Sequence, residues 1–444
     1  MTKTKKELEN QVLRLLNLPP DVTIESSSAS VGSEIITISL PHPDRRICPH
    51  CGGSGCILKG SGRWQEFRHF PINNRSIVLR LFKRRLFCPD CSASFYESPD
   101  WLLPRLRMTM DLFNAVFHAF TEMLSFTRIM DLYQLSESSV RSVFDAIEIK
   151  PPAELPETIC IDEFHADTGF YMKKRKKWAT DDYNANLTDW KRRTVIDVLQ
   201  QKNLVFLSKH FYRHYTRYQR FKVRFFVCDM SGSFIFLAKN CFPKALICID
   251  NFHLIERLEK AITNVRVRNQ NRLRDSGHEG DYKLLKNLHY ILMTKSSNQE
   301  SKWGIHYEEK LQRLHAAFEA APDLEEAYNA LQHFHDILDS WPFQTQEKAL
   351  QEWFSEYRFT EIPELKTAVM TFSSYRGDIL NAWRYSRSNG SCEGLNKKIK
   401  DVKRSMFGAH SFENFRKRVL LSCGTFELDD PQIILHLERR NKND

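Results

Sequence analysis

No apolar run in this 444-residue chain approaches the roughly 20 residues that a membrane-spanning helix needs. That argues against a protein embedded in a bilayer. No secretory signal is visible either, because MTKTKKELENQVLRLLNL has the pattern of an amphipathic helix without a long apolar centre. A cytoplasmic chain is expected, and cytoplasmic thiols stay reduced. The eleven cysteines therefore suit metal ligands or core positions better than a disulfide framework. No internal repeat stands out, and no low-complexity tract exceeds a few residues. A Ser-His-Asp or Cys-His nucleophile arrangement is also missing. Acid is short relative to base: 55 Asp and Glu face 65 Lys and Arg, for a net charge of +10. A sequence pI near 9.0 suits a polyanionic partner, nucleic acid first and an anionic membrane surface second.

The basic residues that are present come in groups. KKRKK covers Lys173 to Lys177, RHYTRYQRFKVR covers Arg213 to Arg224, and KKIKDVKR covers Lys397 to Arg404. A single run of this kind is usually a solvated helix face. Several runs in one chain tilt the reading toward DNA.

By length the chain has room for about three domains, and the motifs divide it further. Residues 1–45 read as a short helix followed by the strand-like SEIITISL. Residues 46–104 hold two C-x2-C knuckles, Cys48 with Cys51 in ICPHCGG and Cys88 with Cys91 in LFCPDCSASF. Two such knuckles can set four thiolates around one tetrahedral Zn²⁺. Pro49, Pro89, Gly52 and Gly53 favour the tight turns a knuckle needs, and the strand-like RSIVLRLFKRRLF lies between the pairs. Cys56 reads as a bystander. Residues 105–150 turn helical in three pieces, with Ser125 and Ser136 as N-caps of the second and third. A helix-turn-helix would put Ser138, Ser139 and Arg141 on the early turns of its recognition helix. A generic helical bundle is the alternative.

KPPAELPE, from Lys150 to Glu157, reads as a domain joint. Beyond it lie the β-like runs ETICIDEF, TVIDVL, LVFLS, VRFFVCD and ALICID, with helical patterns between some of them. This predicts an α/β layer over 155–255. The order of strands and helices is compatible with an RNase H-like mixed sheet. Residues 256–380 are helical in pattern and read as an insertion. Residues 381–444 return to the core, with SRSNGSCEG as a turn leading into a basic helix that breaks around SMFGAHS.

Asp162 closes the first β-like run, Asp229 ends VRFFVCD, and Glu393 opens the late helix. A lone acid is usually a solvated surface residue. Two acids at the ends of buried strands sit where open α/β sheets place their sites. With a third on a helix they can hold two hard divalent ions, which would activate an oxygen nucleophile and stabilise the leaving oxygen of a phosphodiester. Glu163 should face away from Asp162 on the strand. Lys397, Lys398 and Lys400 follow Glu393 closely and are candidates to hold a DNA backbone.

Taken together, the CPHC and CPDC knuckles, the three-helix segment, CIDEF, VCDMSGSF, FPKALICIDNFHLIE and SNGSCEGLNKKIKDVKRSMFG resemble insertion-sequence transposases of the ISL-three family over nearly the whole chain. The resemblance implies a DDE-type enzyme. It would have an RNase H-like core interrupted by a helical insertion, an N-terminal zinc ribbon and a helix-turn-helix. Asp162, Asp229 and Glu393 match the family's acidic triad. Asp250 and His253 match a D-x-x-H element, with Asp250 either auxiliary or itself the second acid. The strand before Asp229 should lie beside the first strand, which puts Asp229 ahead. Two Mg²⁺ (or Mn²⁺) ions and one structural Zn²⁺ are implied. The implied partners are double-stranded DNA, both terminal inverted repeats and target, and further copies of the chain, as a homodimer or higher once synapsed on DNA. A bacterial, nucleoid-associated location without membrane contact follows. Two features depart from the pattern: Asn251 where a basic residue is more usual, and a long polar stretch from Thr168 to Arg193. The resemblance also leaves open a catalytically silent DNA-binding regulator or a metal-dependent nuclease without strand transfer.

Overall fold

The computed structural model describes residues 3–41, 46–165, 183–406, 411–424 and 426–437. The KKRKK run, residues 168–182 of the polar stretch and residues 407–410 of SMFGAHS lie outside the described residues. The chain divides into two compact units, with a break after Pro152 in the proline-rich joint. The second unit takes Ala153 to Asn396 among the described residues, and the first takes the rest.

In the first unit, α1 (Lys3–Leu15) precedes strands β1 (Thr23–Ser30), β2 (Ser33–Ser39), β3 (Arg63–Ile72) and β4 (Arg75–Lys83). These form one sheet in the order β1-β2-β4-β3, extended by the short strands Met108–Thr109 and Leu102–Leu103. β2 runs parallel to β4, so the N-terminal strands share a sheet with strands from between the two knuckles. Alternation explains the sheet's inner face: Ile36, Ile38, Phe67, Leu79 and Leu81 pack with Leu13 of α1 and with Leu16 just after it.

Three helices follow, α2 (Met110–Thr121), α3 (Phe126–Tyr133) and α4 (Glu137–Ala146). Ser125 accepts from the Arg128 amide and Ser136 from the Ser139 amide, the two caps the sequence predicts. Each such cap contributes about 1 kcal/mol. Phe120, Phe126 and Phe144 meet as a triangle of rings with centroids 5.2–5.4 Å apart.

The second unit is built on a five-stranded sheet of β5 (Thr158–His165), β6 (Tyr183–Asp189), β7 (Thr194–Leu199), β8 (Phe225–Cys228) and β9 (Leu246–Ile249). Its order is β7-β6-β5-β8-β9. The first three strands form an antiparallel meander, while β8 joins β5 in parallel and β9 joins β8 in parallel. Two expectations need correction here. LVFLS is not a strand but the start of helix α5 (Leu204–His214). Asn203 caps it by accepting from the Phe206 amide, and Leu207 and Phe211 are its buried face. Conversely, YNANLTD is a central strand that carries little apolar signal, because Asn184, Asn186 and Thr188 are buried polar residues.

Helices α6 (Arg217–Phe221) and α7 (Gly232–Cys241) fill the crossovers, and α8 (Asn251–Asp275) leaves the end of β9. Helices then follow one another from Glu279 to Arg384, packed around Phe334, Trp353, Phe372 and Trp383. The last helix to join this unit is α9 (Gly390–Ser405), whose residues up to Asn396 belong to it and hydrogen-bond β6 and β5. No helix among the described residues is long and apolar enough to cross a membrane.

Candidate functional site

The four knuckle cysteines come together in the first unit. Their sulfurs all lie within 4.8 Å of one another. Cys48 and Cys91 are 3.6 Å apart, as are Cys51 and Cys88. A Zn–S bond of about 2.3 Å in a tetrahedron gives sulfur–sulfur edges of about 3.8 Å, so the donor set fits one Zn²⁺. The turns pull the thiols inward: Gly52 adopts a positive φ of 77°, and the Gly52 amide donates to the Cys48 carbonyl at 2.9 Å. Burial works against a Cys48 thiolate, but the His50 and Cys51 amides and the neighbouring thiols outweigh it and bring its pKa to about 6. Cys56 donates to the Gly53 carbonyl at 3.8 Å and stands outside the group of four.

The carboxylates of Asp162 and Asp229 belong to adjacent strands of the second unit. Asp162 lies inside β5 just past its pairing with β8, and Asp229 follows the end of β8 directly. Asp162 is only 6% exposed. Its Oδ1 accepts from the Glu163 amide and its Oδ2 from Asn396 Nδ2, both at 2.8 Å. Asp229 accepts from the Ser231 amide at 2.9 Å. Asp250 caps α8 through the Phe252 amide and also accepts from the Asn389 amide at 2.7 Å. Both of its oxygens are thus engaged in holding backbone. Glu163 is paired with Lys202 at 2.5 Å.

Glu393 arrives on the first turn of α9. The sequence suggests a turn through SRSNGSCEG, but the helix already begins at Gly390, so GSCEG is helical despite its two glycines. Tertiary contacts explain the difference. Trp190 Nε1 donates to the Ser388 carbonyl at 3.0 Å. Cys392 is fully buried, with its sulfur 3.2 Å from the Thr188 hydroxyl. Asn186 donates to Asn396 Oδ1 at 3.1 Å. Asn251, unusual by family resemblance, accepts from the Trp383 indole at 2.7 Å.

The electrostatics of this cluster favour a cation. Burial raises the pKa of Asp162 to about 6, and neighbouring Asp229 and Glu163 push the same way. Burial likewise raises Asp229. Burial opposes a charged His253, yet Glu256, Asp229, Asp162 and Asp250 outweigh it and raise its pKa. Buried oxygen donors held by neutral N–H groups are a donor set for a hard divalent ion. Among the described residues, only the cysteines bring three or more ligand atoms within 4.8 Å, so the carboxylates are spread more widely than the ligands of one tightly bound ion. Two ions about 3.5–4 Å apart call for such a spread.

The other sequence candidates lie on helices. Ser138 is exposed on the first turn of α4, and Ser139 and Arg141 are half-buried there. Arg141 is tied to Glu137 at 2.6 Å. Lys397, Lys398 and Lys400 are exposed on α9. The sequence reading missed Asn186, Thr188, Asn389, Cys392 and Asn396. Alternating polar residues in YNANLT, and Asn396 three positions after Glu393, were the available signals.

Residues 159–419 match a family described as transposase, of the ISL-three type. Residues 44–91 match the zinc-finger of transposases IS204/IS1001/IS1096/IS1165. The transposase for insertion sequence element IS1001 from Bordetella parapertussis is 22% identical over 382 residues, covering 83% of this chain and 86% of that protein. A protein described as an ATP-dependent protease from Lactococcus lactis subsp. lactis is 41% identical over 64 residues, 14% of this chain and 21% of its own length. A match that short marks a shared segment and carries no activity.

Proposed function

This chain belongs to the ISL-three transposase family, and from that premise we propose that it is a DDE-type enzyme that cuts DNA at the ends of an insertion sequence and joins them to target DNA. What supports this reading is that Asp162 on β5 and Asp229 just after β8 lie on neighbouring parallel strands, and that α9, which carries Glu393, hydrogen-bonds Asp162 through Asn396. The order β7-β6-β5-β8-β9, antiparallel then parallel, supports an RNase H-like core. Asp162, Asp229 and Glu393 would hold two Mg²⁺ or Mn²⁺ ions, which when bound supply Lewis-acid activation of the attacking and leaving oxygens. Asp250 supports the site by fixing the start of α8 and the Asn389 backbone, which favours Asp229 as the second acid. His253, which lies near Asp229, Asp162 and Asp250, would orient a phosphate or balance the acids.

Neither step needs a protein nucleophile, so the chain's own residues chiefly position DNA and shape the field. The zinc ribbon and the helix-turn-helix of α2 to α4 would read terminal inverted repeats, with Ser138, Ser139 and Arg141 toward the duplex. Lys397, Lys398 and Lys400 would contact phosphates and set register. Action at two ends implies a dimer or higher assembly on DNA.

The test uses the full chain and a labelled element end with Mg²⁺ or Mn²⁺. Asp162→Ala, Asp229→Ala and Glu393→Ala should each lower cleavage and joining by on the order of 10³-fold, the equivalent of several kcal/mol of lost charge stabilisation. Gel-shift binding to the same DNA should stay near wild type. Wild-type cutting by all three variants would overturn the reading. Cutting by Asp229→Ala with a dead Asp250→Ala would move the second acid to Asp250. Cleavage by the wild-type chain without joining to a 3′-OH acceptor would leave a nuclease.

A further inference from the structure

We propose that Asn396 is a positioning residue that fixes how Asp162 presents its carboxylate to a divalent cation, and that Asn186 in turn fixes Asn396. This rests on the reading of Asp162 as a metal ligand.

The geometry specifies each link. Asn396 is 8% exposed and lies one turn beyond Glu393 on α9, so both residues share a helix face. Its Nδ2 donates to Asp162 Oδ2 at 2.8 Å, and its Oδ1 accepts from Asn186 Nδ2 at 3.1 Å. A primary amide can flip, but here only one orientation satisfies both neighbours. The Asp162 carboxylate accepts only, which turns the Asn396 N–H toward it and leaves the Asn396 oxygen to be held by the Asn186 N–H. Asn186 sits directly across from Asp162 in the β5–β6 register and is fully buried. Its place is set by the sheet rather than by a mobile side chain.

The consequence lies in the freedom of a carboxylate. The terminal torsion of an aspartate is broad and two-fold, so an unheld group can turn its lone pairs in many directions. At Asp162 the Glu163 amide holds one oxygen and Asn396 the other. A carboxylate has about four lone-pair sites. With one taken on each oxygen, the remaining lone pairs point in a defined direction. A neutral donor does this without placing a competing charge beside the acids, as a lysine would. The helix that delivers Glu393 thereby also grips Asp162, linking the two acids through α9. Partners of this kind behind metal ligands typically contribute about 10–100-fold in metal affinity.

The experiment titrates the full chain, without DNA, with Mn²⁺ and reads free Mn²⁺ by electron paramagnetic resonance. Thermal melting without added Mg²⁺ or Mn²⁺ is measured alongside, with the zinc left in place. Asn396→Leu keeps the volume and removes the donor. It should weaken Mn²⁺ binding by about 10–100-fold while melting without added divalent ion stays close to wild type. Asn186→Ala frees the amide to turn and should weaken binding in the same direction by less. The double variant should bind no more weakly than Asn396→Leu alone, because both act through one link. Wild-type Mn²⁺ affinity in Asn396→Leu, or additive losses in the double variant, would overturn the proposal. If Asn396→Leu does not fold, Asn186→Ala decides: unchanged affinity overturns the link. Asp162→Ala is the separate control. Should it bind Mn²⁺ as tightly as wild type, the metal-site reading of Asp162 fails instead.

Discussion

Cys48 and Cys91 are 43 positions apart in sequence, and Cys51 and Cys88 are 37 apart, yet each pair of sulfurs lies 3.6 Å apart. Asp162 and Asn396 are 234 positions apart and meet only because a sheet and a late helix bring them together. The thiolate group is built by turns. Each knuckle carries its own proline and a positive-φ residue after its second cysteine, Gly52 in one and Ser92 in the other, and metal completes what the turns begin. The carboxylate group is built by the fold. Strand β5, the end of β8 and the first turn of α9 must all be in place before it exists. A site of the first kind is coupled to its own folding, whereas one of the second kind inherits a fold already made and adds chemistry to it. The same substitution logic therefore gives different outcomes in the two regions.

The largest effect should come from the thiolates. Structural zinc supplies on the order of 10 kcal/mol of apparent binding energy in small domains, and that energy is folding energy. Removing zinc from the full chain, or substituting Cys88→Ser, should unfold the ribbon and abolish repeat binding. Metal analysis should return one zinc per wild-type chain. A chain that keeps repeat binding with less than half a zinc would erase the contrast between the two regions.

A smaller effect should come from the C-terminal end of the first unit, where helix α10 (Phe412–Cys423) closes on α2. Arg418 is 1% exposed and donates to the carbonyls of Phe120, at 2.8 Å, and Leu124. Lys417 donates to the Phe144 carbonyl at 2.9 Å, and Ile433–Leu435 pairs with Ile147–Ile149. These basic groups satisfy carbonyls that helix ends leave open. Arg418→Met should lower the first unit's stability by about 3 kcal/mol, since hydrogen bonds from charged donors are lost and carbonyls are left unpaired. Denaturant melting of the full chain checks this. A fragment ending near Lys150 lacks the whole clamp. Its repeat binding should be rescued when residues 411–437 are supplied, and equal binding without them would show the three helices to be self-sufficient.

The two regions also differ in how far they could be read from sequence. The knuckles were legible because their chemistry is local: residue type, spacing and turn residues lie together. Ser125 and Ser136 were legible as caps for the same reason. Asp162 and Asp229 could be picked out because apolar runs lead up to them. The supporting residues could not. β6 carries Asn184, Asn186 and Thr188 into the interior, where a buried strand is expected to be apolar, so the pattern dissolved at the strand that lines the site. LVFLS misled in the opposite sense. Five residues of strand-like composition begin a helix because Asn203 caps it and Phe211 continues the face two turns on. GSCEG looked like a turn because of Gly390 and Gly394, but contacts to β6 and to Asp250 hold it in α9. In each case tertiary partners distant in sequence overrode the local preference.

The raised pKa values of Asp162 and Asp229 have a consequence for how such a gene decays. The ordinary value of an aspartate here is 3.8, and burial lifts Asp162 to about 6. A carboxyl raised in the folded state contributes stability that is fully present below the unfolded value and is lost as pH rises through the folded one. At neutral pH without a divalent ion this carboxylate cluster therefore works against the fold, by a few kcal/mol at most. Asp162→Asn should melt higher than wild type at pH 7.5 without added Mg²⁺ or Mn²⁺, and this advantage should vanish below pH 4. A variant that melts no higher at either pH would remove the effect. Selection for an intact, soluble product and selection for transposition then pull in opposite directions at this position. A copy released from the second would drift toward the amide, gaining a sturdier protein as it loses its chemistry.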